Sequence, residues 1–469
     1  MQSEIEQIVT NVKSGKTTAR AEVEQALARA EATKELHALL EVFKDEALKR
    51  ADEIDAKIKA GQPVGRLVGV PYVAKDNFLT KVGHTTAAAH ILENFKSPIN
   101  ATAIDKLDQE DAILIGKANL DAFAHGGSTE NSYFGPTHNA VDFERVPGGS
   151  SGGSAAIVAA GVVPFALGTD TGGSIRQPAS FNGVVGFKPT YGMVSRYGVV
   201  AMASSTDVVG PLARTVRDAE IVCDILAGQD HRDGNVYPSY FKTEQPAKSG
   251  LKVGLIKDFM TDDVNSDVVK QTKAMVEHLQ KQGATVDEVS LPAAKYALAM
   301  YYIVVPAEVT SNLGRFDGVR YGYRSKNAKS LGDIYGMSRS EGFMDENKRR
   351  ILIGSYVLSS GYFDAYYLKA QRARTLLINE FNKLFEQYDY LICPTAPTPA
   401  FKLGENTSDP LKMYLADAMT VPASMAGLPA ISVPSGNTAD GLPVGVQLIG
   451  KMKDDAGVLA VAKQMEAKA

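Results

Sequence analysis

The sequence predicts one large α/β unit, a sheet with parallel pairing covered by helices, preceded by a helical lobe. Three observations predict it. Residues 2 to about 60 place apolar side chains at helical spacing. From about residue 69 the texture changes to short apolar runs separated by Gly, Pro, Asn and Asp. From Leu251 a strand, a helix and a strand follow one another, the pattern of parallel strands joined by a covering helix.

Ile5, Ile8, Val9 and Val12 make one helical stripe, and Val23, Ala26 and Leu27 a second. Gly15 and Gly61 are the expected stops. GVPYVAKDNF, AILIGKANL and VVGFKPT read as buried strands ending in polar turns. LKVGLIKDF (Leu251 to Phe259) opens the alternation. Val268 to Gln280 follows as a helix with Val269, Thr272, Val276 and Leu279 on one stripe, and ATVDEVSLP returns as a strand. A long amphipathic helix is expected from about Ala365 to Gln387, then YDYLICPTAPTP as a strand running into a Pro-rich turn. AISVPSG and LPVGVQLIG are two late strands joined through Asn437 and Gly441, and DDAGVLAVAKQMEAKA closes as a helix. No tandem repeat or low-complexity linker interrupts this order. The charged, glycine-bearing stretch near 227–250 is the one weak boundary.

Composition narrows the function classes. An apolar share of 44% and a charged share of 22% are those of a soluble globular chain. The net charge of −4, with both signs interspersed, argues against a phosphate-tracking surface. Cys223 and Cys393 alone build neither a disulfide framework nor a zinc site, and they fit a reducing cytoplasm. The opening MQSEIEQIVT is polar and acidic, unlike a secretory signal. The longest apolar run, AAIVAAGVVPFALG, is broken by Gly and Pro and is shorter than the roughly 20 residues of a membrane span.

Two glycine–serine segments carry the chemistry: PGGSSGGSAA (Pro147 to Ala156) and GTDTGGSIR (Gly168 to Arg176). Neither has the spacing of a phosphate-cradling loop. A lone GGS is an ordinary turn, but each segment here adjoins an apolar run. In TGGS, the glycines allow successive N–H groups to converge where a developing oxyanion needs them, with Ser174 presenting its hydroxyl. Neither segment holds a histidine. The base candidate is Lys75, which ends the apolar run of GVPYVAK. Taken alone, it is a surface lysine at a strand end. Buried, it would lose its charge and accept a proton, and Ser–Lys pairs are a known variant of the histidine triad. His125 and His138, near in sequence, read as structural or surface residues.

PGGSSGGSAAIVAAG followed by LGTDTGGSIRQPASFNGVVGFKPTYG resembles the core of the amidase signature family. The resemblance implies a three-layer α/β/α fold with a large central mixed, twisted sheet covered by helices on both faces. Residues 1–62 would form a helical lobe packed on a catalytic unit of residues 63–469. It also implies a Ser–Ser–Lys triad: Ser174 as nucleophile, Ser150 as the bridging serine that follows a cis peptide bond, and Lys75 as base. The spacings of 24 and 75 residues agree with the family. Thr171, Gly172 and Gly173 would supply backbone oxyanion donors. Ser151 adjoins the relay, and spacing alone prefers Ser150.

GGSTENSYFGPTHN, SRYGVVAMASSTDVVGP, RFDGVRYGYRS and DENKRRILIGSYVLSSGYFDAYY resemble one branch of that family, the A subunits of tRNA-dependent amidotransferases. This implies a glutaminase that releases ammonia through the triad. Arg350 would hold the carboxylate of glutamine and Asp417 its ammonium, with Arg349 an alternative for the first role. It implies no cofactor in this chain. It also implies a heterotrimer: a B subunit carrying ATP, Mg²⁺ and tRNA, which converts Glu-tRNA(Gln) to Gln-tRNA(Gln), and a small C subunit. The sequence departs from the family at Ala140 and Val141, where Pro–Trp is usual, at Asn182 for cysteine and at His138 for arginine. None of these falls on the triad. The triad alone equally fits a stand-alone amidase of small or apolar amides, and a silent scaffold subunit is the third reading.

Overall fold

The computed structural model describes residues 3–243, 248 and 250–467. Met1 and Gln2 of the polar opening, part of the 227–250 stretch, and the last two residues of the closing helical segment lie outside the described residues. Among the described residues, eleven strands form one sheet: β1 (Leu39–Val42), β2 (Pro71–Lys75), β3 (Ile113–Ala118), β4 (Phe165–Asp170), β5 (Val185–Lys188), β6 (Val208–Ala213), β7 (Lys252–Ile256), β8 (Thr285–Val289), β9 (Tyr390–Pro394), β10 (Ala430–Asn437) and β11 (Pro443–Ile449). Their order is β1-β3-β2-β4-β6-β5-β10-β11-β9-β7-β8. Pairing is parallel among β3, β2 and β4 and again among β9, β7 and β8. It is antiparallel from β4 through β6, β5, β10 and β11 to β9, and at the β1 edge. The sheet is therefore mixed, with the β7–helix–β8 unit parallel as its sequence pattern predicts.

Side chains alternate across a strand, and here both faces are buried. On β9, Tyr390 and Ile392 enter one apolar core while Leu391 and Cys393 enter the other. This is why the strands read as near-continuous apolar runs rather than as polar–apolar alternation.

The N-terminal helices Glu4–Lys13 and Ala19–Ala32 begin where the sequence offers caps. Ser3 Oγ accepts from the N–H of Glu6, and Thr18 Oγ1 from that of Ala21. Ile5, Ile8, Val12, Val23 and Ala26 are buried in the same core as Val73 of β2 and Ile115 of β3. Gly15 and Gly61 sit at positive φ just past helices, where a glycine stop is cheapest.

Three strands were not legible as strands. β1 lies inside the segment read as helical and pairs with β3. β4 is the second half of the apolar run Ala155–Gly168, whose first half is the helix Gly152–Ala159. β6 contains Pro211, opposite Leu167 of β4, and proline normally argues against an interior strand. The long late helix runs Lys369–Leu384, after a π-helical turn at Phe363–Leu368.

Candidate active site

The first and second glycine–serine segments meet at the carboxyl ends of β2 and β4. Because these strands are parallel neighbours, Lys75 at the end of β2 and Thr169–Asp170 at the end of β4 emerge on the same edge, the usual place for a site in such a sheet. Ser150 and Ser151 reach this edge from the start of the helix Gly152–Ala159. The Gly149–Ser150 peptide bond is cis. A Cβ at Gly149 would lie 2.2 Å from Asp121 Oδ2 and 2.7 Å from the Ser128 nitrogen, so only glycine fits there.

Lys75 is fully buried. Its Nζ lies 2.7 Å from Ser150 Oγ, 2.9 Å from Ser151 Oγ and 2.9 Å from Thr169 Oγ1, with the Thr169 carbonyl at 3.4 Å. Among the described residues no carboxylate touches it. Desolvation therefore governs its titration and lowers its pKa to about 7, against the weaker pull of Asp121, Asp170 and Asp207. A hydroxyl cage accommodates a neutral amine as donor and acceptor alike, which an ion pair would not.

The two serines touching Lys75 differ in what else they do. Ser151 Oγ donates to the Thr169 carbonyl at 3.2 Å and accepts from the Thr169 N–H at 3.4 Å. Ser150 Oγ meets only Lys75 among the described residues, which leaves it free for a second partner. Ser174 is 8% exposed, and its carbonyl accepts from the Ser151 N–H at 3.1 Å, joining the two loops. No hydrogen bond links Ser174 Oγ to Lys75 or to Ser150 among the described contacts.

The turn that carries Ser174 is clamped from behind. Asp170 accepts from the Ile175 N–H and from two guanidinium nitrogens of fully buried Arg176, at 3.0 and 2.9 Å. Against the cost of burying it, Arg176 holds the Asp170 carboxyl below its ordinary pKa. Thr171 Oγ1 donates to Asp207 at 2.8 Å. Gly173 has φ +155°, and a Cβ there would lie 2.1 Å from Thr420 Oγ1. The backbone N–H groups of Thr171, Gly172, Gly173 and Ser174 have no acceptor among the described hydrogen bonds, so they remain available to an oxyanion.

Beside this turn lies a cavity of about 280 Å³ lined by Asp121, His125, Gly127, Glu130, Tyr302, Glu346, Arg349, Arg350, Asn406, Tyr414 and Asp417, among others. Asp417 links it to the turn, since Cβ positions on Gly173 and Gly127 would fall 3.3 and 3.6 Å from its carboxylate. Arg350 comes from the helix Asp345–Val357. Its Nε donates to Glu346 Oε1 at 2.8 Å, and its guanidinium lies 5.1 Å from the Tyr302 ring centre. Its pKa is raised: burial pulls it down, but Tyr302 and Glu346 more than offset this. Arg349, the alternative, is 44% exposed and pairs with Glu346. Asp417 is partly buried but its Oδ1 is sealed, and desolvation pushes its carboxyl up to about 7 despite Arg350.

Among the described residues, nine buried side-chain N or O atoms lack a hydrogen-bond partner. Five of the nine line this cavity: Arg350 Nη1, His125 Nε2, Asp417 Oδ1, Glu130 Oε2 and Asn406 Oδ1. The sequence motifs point to Arg350 and Asp417 but not to Glu346, Glu130, Asn406 or Thr169. Glu346 had a signal, its i,i+4 spacing to Arg350 on a helix. Glu130 and Asn406 had none, because they come from unrelated loops.

Two departures from the family pattern contact each other. The Ala140 N–H, which a proline would lack, points to Asn182 Oδ1 at 3.4 Å, while Asn182 Nδ2 donates to the Pro147 and Pro178 carbonyls. His138 stacks on Phe143 at 3.8 Å, and its Nδ1 meets the Phe143 carbonyl in an exposed contact.

The profile of the amidase family matches residues 21–459. A protein of Geobacillus thermodenitrificans, named as the A subunit of glutamyl-tRNA(Gln) amidotransferase, is 52% identical over 93% of this chain and 90% of its own length. One of the same name from Koribacter versatilis is 50% identical over 92% of this chain and 91% of its own. The crystal structure of the Thermotoga maritima protein of that name superposes with a TM-score of 0.80 at 39% identity, covering 96% of this chain and 92% of that one. With its α/β/α layers and mixed central sheet, the chain belongs to the amidase signature family.

Proposed function

We propose that the chain is a glutaminase that releases ammonia for a partner chain, which uses it to amidate Glu-tRNA(Gln). The observation that carries this reading is the cavity beside Ser174. Two donors without partners, Arg350 Nη1 and His125 Nε2, stand with three acceptors without partners, Asp417 Oδ1, Glu130 Oε2 and Asn406 Oδ1. A free α-amino acid brings the complement: two carboxylate oxygens that accept and an ammonium with three protons to donate. An aryl or fatty amide would leave these polar atoms buried and unpaired, at about 1–3 kcal/mol each. The names carried by the relatives support the same substrate and the same partners.

In this reading Ser174 Oγ attacks the side-chain carbonyl carbon of glutamine. Its proton passes to Ser150 Oγ as Ser150 gives its own to neutral Lys75. The N–H groups of Thr171, Gly172, Gly173 and Ser174 take the oxyanion, where a single lost donor typically costs about 10²–10³ in rate. The C–N bond then breaks, and ammonia leaves with the proton returned from Lys75 through Ser150. Water, deprotonated along the same path, hydrolyses the glutamyl ester to glutamate and restores Ser174. Residues 63–469 carry all these groups, with residues 1–62 as the lobe packed on them. ATP, Mg²⁺ and tRNA belong to the B subunit, and a C subunit completes the heterotrimer.

The test is Ser174→Ala in the assembled complex. Glutamine-dependent formation of Gln-tRNA(Gln) should fall by about 10⁴-fold or more, while added ammonium still supports it. Loss of both together would refute the division of roles.

A further inference from the structure

His125 is fully buried and lines the cavity with Arg350 and Asp417. Its tautomer follows from its neighbours. Asn347 Oδ1 accepts from the Met344 N–H at 3.2 Å, so the amide nitrogen of Asn347 faces the other way. That nitrogen lies 2.8 Å from the Ala122 carbonyl and 2.8 Å from His125 Nδ1. A flipped amide would set oxygen against oxygen at Ala122 and N–H against N–H at Met344. Nδ1 also lies 3.3 Å from the Ala122 carbonyl, to which it would donate in the other tautomer, but that arrangement sets N–H against N–H across the shorter 2.8 Å contact with Asn347. Nδ1 therefore accepts, and the proton of the neutral ring sits on Nε2. The ring is neutral because burial, and then the Arg350 charge, hold its pKa well below the ordinary value. Nε2 is buried and has no partner among the described residues.

We infer that His125 is a specificity-determining residue whose Nε2–H donates a hydrogen bond to the α-carboxylate of the substrate, beside Arg350. This deepens the glutamine reading and rests on it. A carboxylate offers more lone pairs than Arg350 Nη1 uses, and the amide oxygen of the same substrate is directed to the turn around Gly173. A neutral donor suits the position. It adds a hydrogen bond to the anion without burying a second cation next to Arg350. Asn347 is then a positioning residue, since it fixes which nitrogen carries the proton.

The experiment compares glutamine with glutamine α-amide, which lacks the carboxylate, in the complete amidotransferase. His125→Met should raise KM for glutamine by about 10–100-fold, the range of a hydrogen bond to a charged group, with kcat within about 3-fold. KM for the α-amide should move by less than about 3-fold. His125→Gln, which keeps a donor, should recover most of the loss. An unchanged KM for glutamine, or an equal rise on both substrates, overturns the inference. If the methionine variant does not fold, [¹⁵N]histidine-labelled wild-type protein decides. The His125 Nε2–H resonance should shift on adding glutamine and not on adding the α-amide, and an unmoved resonance overturns the inference. Failure of the wild-type enzyme to hydrolyse glutamine at all would instead sink the glutaminase reading, a distinct outcome.

Discussion

Around Lys75 the amine is enclosed by groups of the protein itself: three hydroxyls and a carbonyl surround it, and Ser151 is bonded twice to Thr169. Around Arg350 and Asp417, five are not. Both regions are buried and polar, yet they fulfil opposite requirements. In the proposed reaction the lysine cage must be the same before and during the chemistry, so its partners belong to the protein and hold it in one geometry. In the same proposal the cavity loses its cost only when occupied, so its partners belong to the ligand. A second lysine separates burial from function. Lys117, on the adjacent strand β3, is equally buried but lies 2.8 Å from Asp76 and donates to the Phe78 and His84 carbonyls. Burial alone does not prepare a lysine to act as a base. Nor does the absence of a carboxylate partner among the described residues, since Lys188 is buried, donates to the Pro189 carbonyl and also has its pKa lowered to about 7; what sets Lys75 apart is its contact with Ser150 and Ser151.

Lys75→Met strikes the cage and should lower kcat by about 10³-fold or more, with KM for glutamine within about 3-fold. A kcat loss below about 10-fold would exclude Lys75 as the base. Asp417→Asn and Arg350→Met strike the cavity. Each should lower kcat/KM for glutamine by about 10²-fold, mainly through KM, because a charge of the ligand is buried without the protein group that would neutralise it. Steady-state kinetics on the two substrates, glutamine and its α-amide, distinguish these patterns.

The pH profile separates the regions by sign and slope. Below about 7, Lys75 gains a proton and has no lone pair to accept another, so kcat should fall with a slope of one. Asp417, also near 7 in the free protein, loses its charge over the same range and with it the ammonium contact. The kcat/KM profile should therefore fall more steeply, approaching a slope of two. In Asp417→Asn it should return to one. Equal slopes in the wild type would contradict the assignment of Asp417. The smallest effect belongs to Thr169→Val, which removes the hydroxyl contacting Lys75 at 2.9 Å and Asn77 at 3.1 Å. It should lower kcat by about 10-fold and leave KM unchanged, as measured in the same assay.

Local patterns made some of this legible. The strand–helix–strand order from Leu251 gave parallel β7 and β8 because each run is long enough to carry its own period. β6 was hidden by Pro211 and β1 by its shortness beside strong helices, and both strands are held by neighbours rather than by propensity. At the site, motif residues were legible where the chemistry is local. TGGS is one turn, and Lys75 ends one strand. Glu130, Asn406 and the role of His125 were not, since they arise from loops that meet only after folding.

The family resemblance, the candidate triad residues and the glycine positions can be read along the chain, because they depend on adjacent residues and on spacing along one strand or turn. Tertiary structure alone decided that Lys75 is enclosed by hydroxyls and not paired with a carboxylate, that Ser151 is occupied while Ser150 is free, and that five unpaired polar atoms converge on one cavity. Desolvation and hydrogen-bond satisfaction depend on everything packed around an atom, and that surrounding is assembled from segments hundreds of residues apart.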